Sequence, residues 1–436
     1  MDIEDLLQMA RAVAEQAEVY YWEGDELPVA FEANRLKMLE SRRSRGVALR
    51  VVRHGRIGHA SATDLADPAS LVSMATEVAA FGAQARFELP GPARYPELAV
   101  FDPEVTAISV DSMIELGQSL IDRVRAGAPD LVCDASVTRY TGTLTILNSS
   151  GAQATSRRTV FSAGIGGQLT RGTDMLFVGE HDSSCSPTLD VERIVGETLL
   201  QLERARETSS IASGNYPVVF TPAGVRNALV GPLAAGFNGK LVLQGASPLG
   251  QRLGEEMVDK RISLWDDPTV PLRPASRACD DEAVASQRTP LFQKGVVMGF
   301  LYDLQTAGEA GTHSTGNGSR SGGGLPGPST SALLLEEGDT TFAEMIADIR
   351  GEGVVVEHLM GAGQGNVLGG DFSGNVLLGY KVEAGQIVGR LKDTVVAGNV
   401  YAALRELVAV GRPARWEGGL RCPPLYCRSV SVASRS

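Results

Sequence analysis

Histidine and cysteine are scarce in this 436-residue chain, five of each, and that scarcity narrows the chemistry first. The cysteines at 133, 185, 279, 422 and 427 are odd in number and scattered, which excludes a disulfide framework. The histidines, His54, His59, His181, His313 and His358, form no His-x-x-x-His pair, and no Cys-x-x-Cys accompanies them. Positive charge is short as well: 40 Lys and Arg face 52 Asp and Glu, a formal net charge of -12. Such a chain repels phosphate and lacks a basic footprint, so no nucleic-acid partner is expected. The short run Arg42-Arg43-Ser44-Arg45 reads as solvated strand or loop. No apolar run approaches bilayer length, so no membrane role is expected. The opening "MDIEDLLQMARAVAEQ" is acidic and amphipathic, unlike a signal peptide, which points to a cytoplasmic, reducing location.

What is present is apolar residue enough, 43%, for more than one core at this length. Helical spacing over 3–17, 109–126 and 187–206 alternates with strand-like runs. "GVALRVVRHGRIGHASAT" (46–63) predicts a hairpin turning at His54-Gly55, and Asp67-Pro68 predicts a capped helix start. The proline-rich stretch 89–104 reads as a linker or a long crossing loop. Beyond 208–215 come Thr221 as an N-cap, Pro222 opening a helix to about 235, and then short strands between glycine turns, with further helices at 341–350 and 399–410. The expected fold is α+β: a first helix/strand subdomain (1–88), a linker (89–104), a second subdomain (105–208) and a β-rich carboxyl-terminal domain (214–436).

One stretch asks for a partner. "GTHSTGNGSRSGGGLPGPS" (311–329) is rich in glycine, which lets backbone amides approach something closely. A phosphate loop needs a lysine and a receiving helix. This stretch has neither and runs into Leu-Pro-Gly-Pro. "GEHDSSC" (179–185) brings together Glu180, His181, Asp182 and Cys185, which reads as a polar turn or, alternatively, as the ligands of a self-sufficient hydrolase. No nucleophile elbow stands in a recognisable context.

Four stretches taken in order change this reading. They are "SRGVALRVVRHGRIGHASATD" (44–64), "STGNGSR" (314–320), "EGVVVEHLMGAGQGNVLGGDFSGNVLLGYKVEAGQI" (352–387) and "VVAGNVYAAL" (395–404). Together they resemble the TldD/PmbA family, once called modulators of DNA gyrase. TldD-type members look like zinc peptidases, with His-Glu-x-x-x-His on a helix and a Cys ligand near the carboxyl terminus. Two imidazoles and a thiolate hold the ion there and Glu serves as general base. Counting back from Lys240 in "FNGK" places Arg226 and Gly231 where the histidines belong and Asn227 where the glutamate belongs, so "RNALVG" (Arg226, Asn227, Ala228, Leu229, Val230, Gly231) replaces the motif. Arginine stays protonated and glycine offers no ligand atom. Cys427 falls about where the third ligand would be.

The resemblance therefore implies a TldE/PmbA-like member without its own metal, inactive alone. It would be a subunit that supplies peptide-binding surface while a TldD-type partner carries zinc. The alternative is a stand-alone homodimeric pseudo-peptidase that captures peptides. Either way the implied ligand is an unstructured peptide. For an added peptide strand, His313, Ser314, Thr315, Gly316, Asn317 and Arg320 are the expected contacts, with Asn317 meeting a peptide amide and Arg320 a carboxylate or carbonyl. No catalytic residue and no cofactor are expected in this chain.

Overall fold

The computed structural model describes residues 2–172 and 174–434. Its first half is built on one antiparallel sheet. The hairpin forms as the sequence reads: β3 (Arg42–Arg53) turns into β4 (Arg56–Ala62) through His54 and Gly55, both at positive φ. Ahead of them β1 (Gln16–Glu32) and the short β2 (Arg35–Leu39) pair, and β5 (Val132–Asn148), β6 (Gln153–Arg171) and β7 (Asp174–Ser184) follow, in the order β4-β3-β1-β5-β6-β7 with β2 on β1.

The helices lie where the apolar period placed them. α1 (Ile3–Arg11) is capped by Asp2 and gives way to β1 sooner than its period suggests. α2 (Pro68–Ala79) starts at its Asp67 cap with proline in the first turn, α3 (Val110–Gly127) and α4 (Val191–Arg204) follow, and a short helix at Pro103–Ala107 precedes α3.

The expected division into two subdomains at 89–104 does not survive in the strands. β1 pairs with β5 from Glu18–Asn148 to Phe31–Ala135, so both halves of that region share a single sheet. The proline-rich stretch is the crossing loop rather than a linker. Leu89 N–H donates to Gln16 Oε1 at 2.8 Å, the Pro90 carbonyl accepts from Asn148 at 2.9 Å, and the Val100 carbonyl accepts from Thr159 N–H at 3.0 Å.

The second half centres on a nine-stranded sheet. β8 (Gly214–Phe220) runs parallel to β9 (Glu352–Met360). β9 pairs antiparallel with β10 (Asp371–Glu383), which also pairs with β11 (Gln386–Leu391) and β12 (Thr394–Asn399). β13 (Leu425–Ser434) joins β12 and β8, so β8, β9, β10, β12 and β13 close into a ring. The runs Pro-Val-Val-Phe and Val-Val-Val explain why β8 and β9 sit in the middle. Val218, Phe220, Val354 and Val356 face one core, Val219 and Val355 face the other, and a strand covered on both sides carries a continuous apolar run. A smaller six-stranded sheet, which includes Leu264–Asp266, Leu333–Leu335, Arg415–Glu417 and Leu420–Cys422, lies beside it. Helices at Phe342–Asp348 and Val400–Arg405 match expectation, and one at Leu304–Ala310, capped by Asp303, adds to it.

The two halves are joined by packing and by charge. One core contains Val29, Phe31 and Leu120 from the first half and Tyr380 and Tyr426 from the second. On the other side of the first sheet, Glu18 and Arg50 are direct cross-strand neighbours, fully buried, with Arg50 Nη2 donating to Glu18 at 2.9 Å and Nη1 to Glu282 at 2.6 Å. Arg320 donates to the other Glu18 oxygen. Burial works against the charge on Arg50, yet Glu18 and Glu282 outweigh it and hold the guanidinium above its ordinary range.

Removing one partner of such a cluster strands buried charge, so Glu18→Ala is predicted to cost about 3–5 kcal/mol in urea unfolding. A loss below about 1 kcal/mol would show that the cluster does not hold the halves together.

Candidate functional site

β8 ends at Phe220 and the chain turns directly into a helix. Thr221 caps it, accepting from Gly224 N–H at 3.2 Å, and Pro222 takes the first helical position. The helix then lies hard against β9. A Cβ on Gly224 would stand 2.2 Å from the Val356 carbonyl oxygen, so only glycine permits that approach. One turn later the winding loosens into a π turn, Val225–Leu229, before normal helix resumes over Val230–Phe237. Such turns are rare and occur often at functional sites.

The facing strand is irregular at the same level. Its register with β10 shifts on either side of His358, a bulge that re-aims the side chain and leaves a ladder N–H free. Asn227, in the π turn, accepts that N–H from Leu359 at 2.7 Å. The two irregularities are thus pinned to each other.

Arg226, Asn227 and His358 look into a cleft of about 580 Å³ between the two halves of the chain. Glu417 closes it from the second half, and Asp134 and Glu180 line it from the first. Gly164, Gly166 and Gly179 leave part of the wall as bare backbone. Burial lowers the pKa of His358, and the charge of Arg226 lowers it further, so the ring is neutral at pH 7. Burial pushes the Glu417 carboxyl up to about 7, with Glu180 adding to the effect and Arg193, Arg226 and Arg415 opposing it. Glu357, behind the bulge, is also pushed up to about 7 by burial, although Arg204 lies 3.4 Å away.

Zinc does not fit the positions read as a replaced metal motif. Arg226 brings a guanidinium, which cannot ligate. The Asn227 side-chain oxygen is committed to Leu359, and the place of a Gly231 side chain is open space. Cys427 is a correction. It lies wholly buried on β13 opposite Val218 and Leu407, where burial raises its pKa to about 12. The thiol that senses Arg226 and Glu417 is Cys422, whose Sγ donates to the Pro222 carbonyl at 3.5 Å, and burial raises its pKa too. Among the described residues no group of three or more His, Cys, Asp or Glu side chains stands close enough to hold a metal ion. In "GEHDSSC", Glu180 and Asp182 face Arg193 at 3.2 and 3.8 Å while Cys185 is buried, so the alternative ligand set does not assemble.

The glycine-rich stretch is a second correction. It does not line the cleft. Asn317 is 1% exposed and its amide donates to Asp266 at 2.7 Å and to the Ser329 carbonyl at 3.0 Å. Arg320 binds Glu18, the Gly324 carbonyl and the Asp281 carbonyl. Ser314 and Thr315 both bond to Tyr302, and Gly316, at φ +74, packs on the Ala285 carbonyl. Of the six expected contacts only His313 stays exposed. Most of the polar groups expected to meet a peptide are spent within the second half, and Arg320 fastens that half to Glu18 of the first sheet.

His358 and Glu417 escaped the sequence reading. A signal existed in "VVVEH": a doubly buried strand that turns polar at its carboxyl end marks the rim of a parallel pair, where sites form.

Since the folded chain holds the Glu357 and Glu417 protons more tightly than an unfolded one, their stabilisation is full below about pH 4.5 and lost as pH rises through about 7. Glu417→Gln is therefore predicted to flatten the fall in Tm between pH 5 and pH 8.5 relative to the parent. An unchanged slope in calorimetry would refute the shift.

Comparison with known proteins agrees with this architecture. Residues 213–434 match the model of the PmbA/TldA metallopeptidase C-terminal domain, and residues 17–80 match that of the PmbA/TldA metallopeptidase domain 1. An uncharacterized protein of Methanocaldococcus jannaschii is 24% identical over 412 residues, 94% of each chain. The metalloprotease PmbA of Escherichia coli O157:H7 is 24% identical over 461 residues, 98% of this chain and 94% of that one. The crystal structure of TldE from Thermococcus kodakarensis superposes with a TM-score of 0.88 at 22% identity, covering 99% of this chain and 100% of that one, so the fold is shared. This chain belongs to the PmbA/TldD family of metallopeptidases.

Proposed function

We propose that this chain is the TldE/PmbA-like, non-catalytic subunit of a zinc-dependent peptidase that cleaves unstructured peptides, with a TldD-type partner carrying the zinc. The observation that carries the reading is the helix after β8. At the level where a metallopeptidase of this family would present ligands and a general base, this chain presents Arg226, Asn227 and an empty position at Gly231. The amide of Asn227 is not a base, and its oxygen is occupied in accepting the Leu359 N–H. What remains is a shaped cleft of about 580 Å³, a volume suited to a small ligand or the end of an extended chain.

Within that cleft the chain's own groups can bind and orient. Arg226 supplies fixed positive charge, neutral His358 both donates and accepts, and the glycine wall leaves room for a backbone. The peptide would then be held across this surface while the partner performs hydrolysis.

The test is zinc content by mass spectrometry together with cleavage of an unstructured peptide, on the purified chain alone and after mixing with a TldD-type homologue. Zinc well below stoichiometric and no cleavage are expected for the chain alone, with both appearing in the mixture. Stoichiometric zinc in the chain alone, or chelator-sensitive cleavage by it, overturns the reading. Peptide capture by the chain alone, with no gain on mixing, would make it a stand-alone binding protein instead.

A further inference from the structure

We propose that the corner of the cleft formed by Arg226 and His358 is an anchor for a carboxylate of the bound peptide, so that the position vacated by metal ligands serves recognition. The inference rests on the peptide-binding reading above and adds what is recognised.

Arg226 is the first observation. It is exposed to the cleft, and among the described residues its guanidinium has no hydrogen-bonded or ion-paired partner. The other charged groups on the same walls are already engaged. Glu180 faces Arg193 at 3.2 Å, and Asp134 accepts the Ala33 N–H at 2.8 Å. Glu417, pushed up to about 7 by burial and by Glu180, carries only part of a charge at pH 7, and it shares that charge with Arg193 and Arg415 as well as Arg226. One cation is left with donors to spare.

The second observation is the rigidity of its mounting. The guanidinium hangs from a π turn, His358 from a bulge, and the Asn227–Leu359 hydrogen bond ties one to the other. A planar fork of donors suits the two oxygens of a carboxylate, which it can bind in bidentate fashion. His358, neutral beside Arg226, adds a donor from the other side without competing for the anion's charge.

The third is the shape of the approach. Gly164, Gly166 and Gly179 contribute bare backbone to the wall, beside His181. A chain laid there would bring its terminus, or an acidic side chain, to Arg226. Both sources share one chemistry, and the test separates them.

Binding would be measured by calorimetry at pH 7 on the full chain and on its mixture with a TldD-type partner. The probes are the hexapeptide Ala-Gly-Ser-Gly-Ala-Ala with a free carboxyl end, its terminal amide, and the amide with Glu in the fifth place. The free acid, the Glu-amide or both are expected to bind at least about tenfold more tightly than the plain amide, roughly 1.4 kcal/mol. Free acid alone points to the terminus, Glu-amide alone to a side chain. Arg226→Met should erase the difference between the free acid or Glu-amide and the plain amide, and Arg226→Lys should restore only part of it. Because Arg226 makes no internal bond, the variant's Tm should match the parent's.

A second readout is independent of peptides. Acetate should raise the NMR-measured pKa of His358 in the parent and leave it unmoved in Arg226→Met. Equal affinity for all three peptides, with Arg226→Met indistinguishable from the parent, overturns the anchor and leaves peptide binding standing. Binding of none of the peptides, while acetate still moves His358, keeps the carboxylate site and overturns the peptide reading. No peptide binding and no movement of His358 overturns both.

Discussion

Much of this molecule hangs on one buried arginine. Arg50 sits inside the first sheet with a carboxylate on either hand: Glu18 from the adjacent strand and Glu282 from a distant turn in the second half. A buried guanidinium without partners would be intolerable, and two carboxylates without their arginines equally so. Each residue therefore fixes where the others must be. Glu18 and Arg50 being direct neighbours across β1 and β3 sets the register of that pair, since a slip of one residue in either strand would leave the two on opposite faces. Arg320 then ties the glycine-rich loop to the same carboxylate. A feature that reads as a ligand cradle is a clasp.

The cleft exists because the two halves so clasped do not fill the space between them. Its chemistry comes from paired departures from regularity, a π turn in the helix and a bulge in the strand, which turn side chains outward that regular winding and pleating would have sent elsewhere. The Asn227–Leu359 bond satisfies the amide that the bulge leaves over. Polar satisfaction and site geometry are here the same contact. Asn227 is consequently part of the scaffold.

Local features were legible in the sequence, and long-range ones were not. The His54-Gly55 turn, the Asp67 and Thr221 caps, and the apolar periods of α3 and α4 depend on residues close in sequence, and each is found as read. Family resemblance carried the position of the altered helix. The single first sheet could not be seen, because β1 meets β5 across more than a hundred residues and the proline-rich crossing between them looks like a boundary. The roles given to Asn317 and Arg320 failed for the same reason: their partners, Asp266 and Glu18, lie far away in the chain. Cys427 falls in sequence about where a third ligand would be, and only the fold shows that Cys422 is the thiol near Arg226. His358 owes its place to a bulge, which a single sequence does not announce.

The ring of β8, β9, β10, β12 and β13 sets an order of events during synthesis. Its first strand leaves the ribosome some two hundred residues before the closing one, Leu425–Ser434. Until then β8 and β12 present open edges, which are templates for pairing with any other extended chain. The nascent second half must therefore wait, unsealed, for its last strand. Of the two halves, only the first sheet, whose strands are all made by Ser184, can settle beforehand.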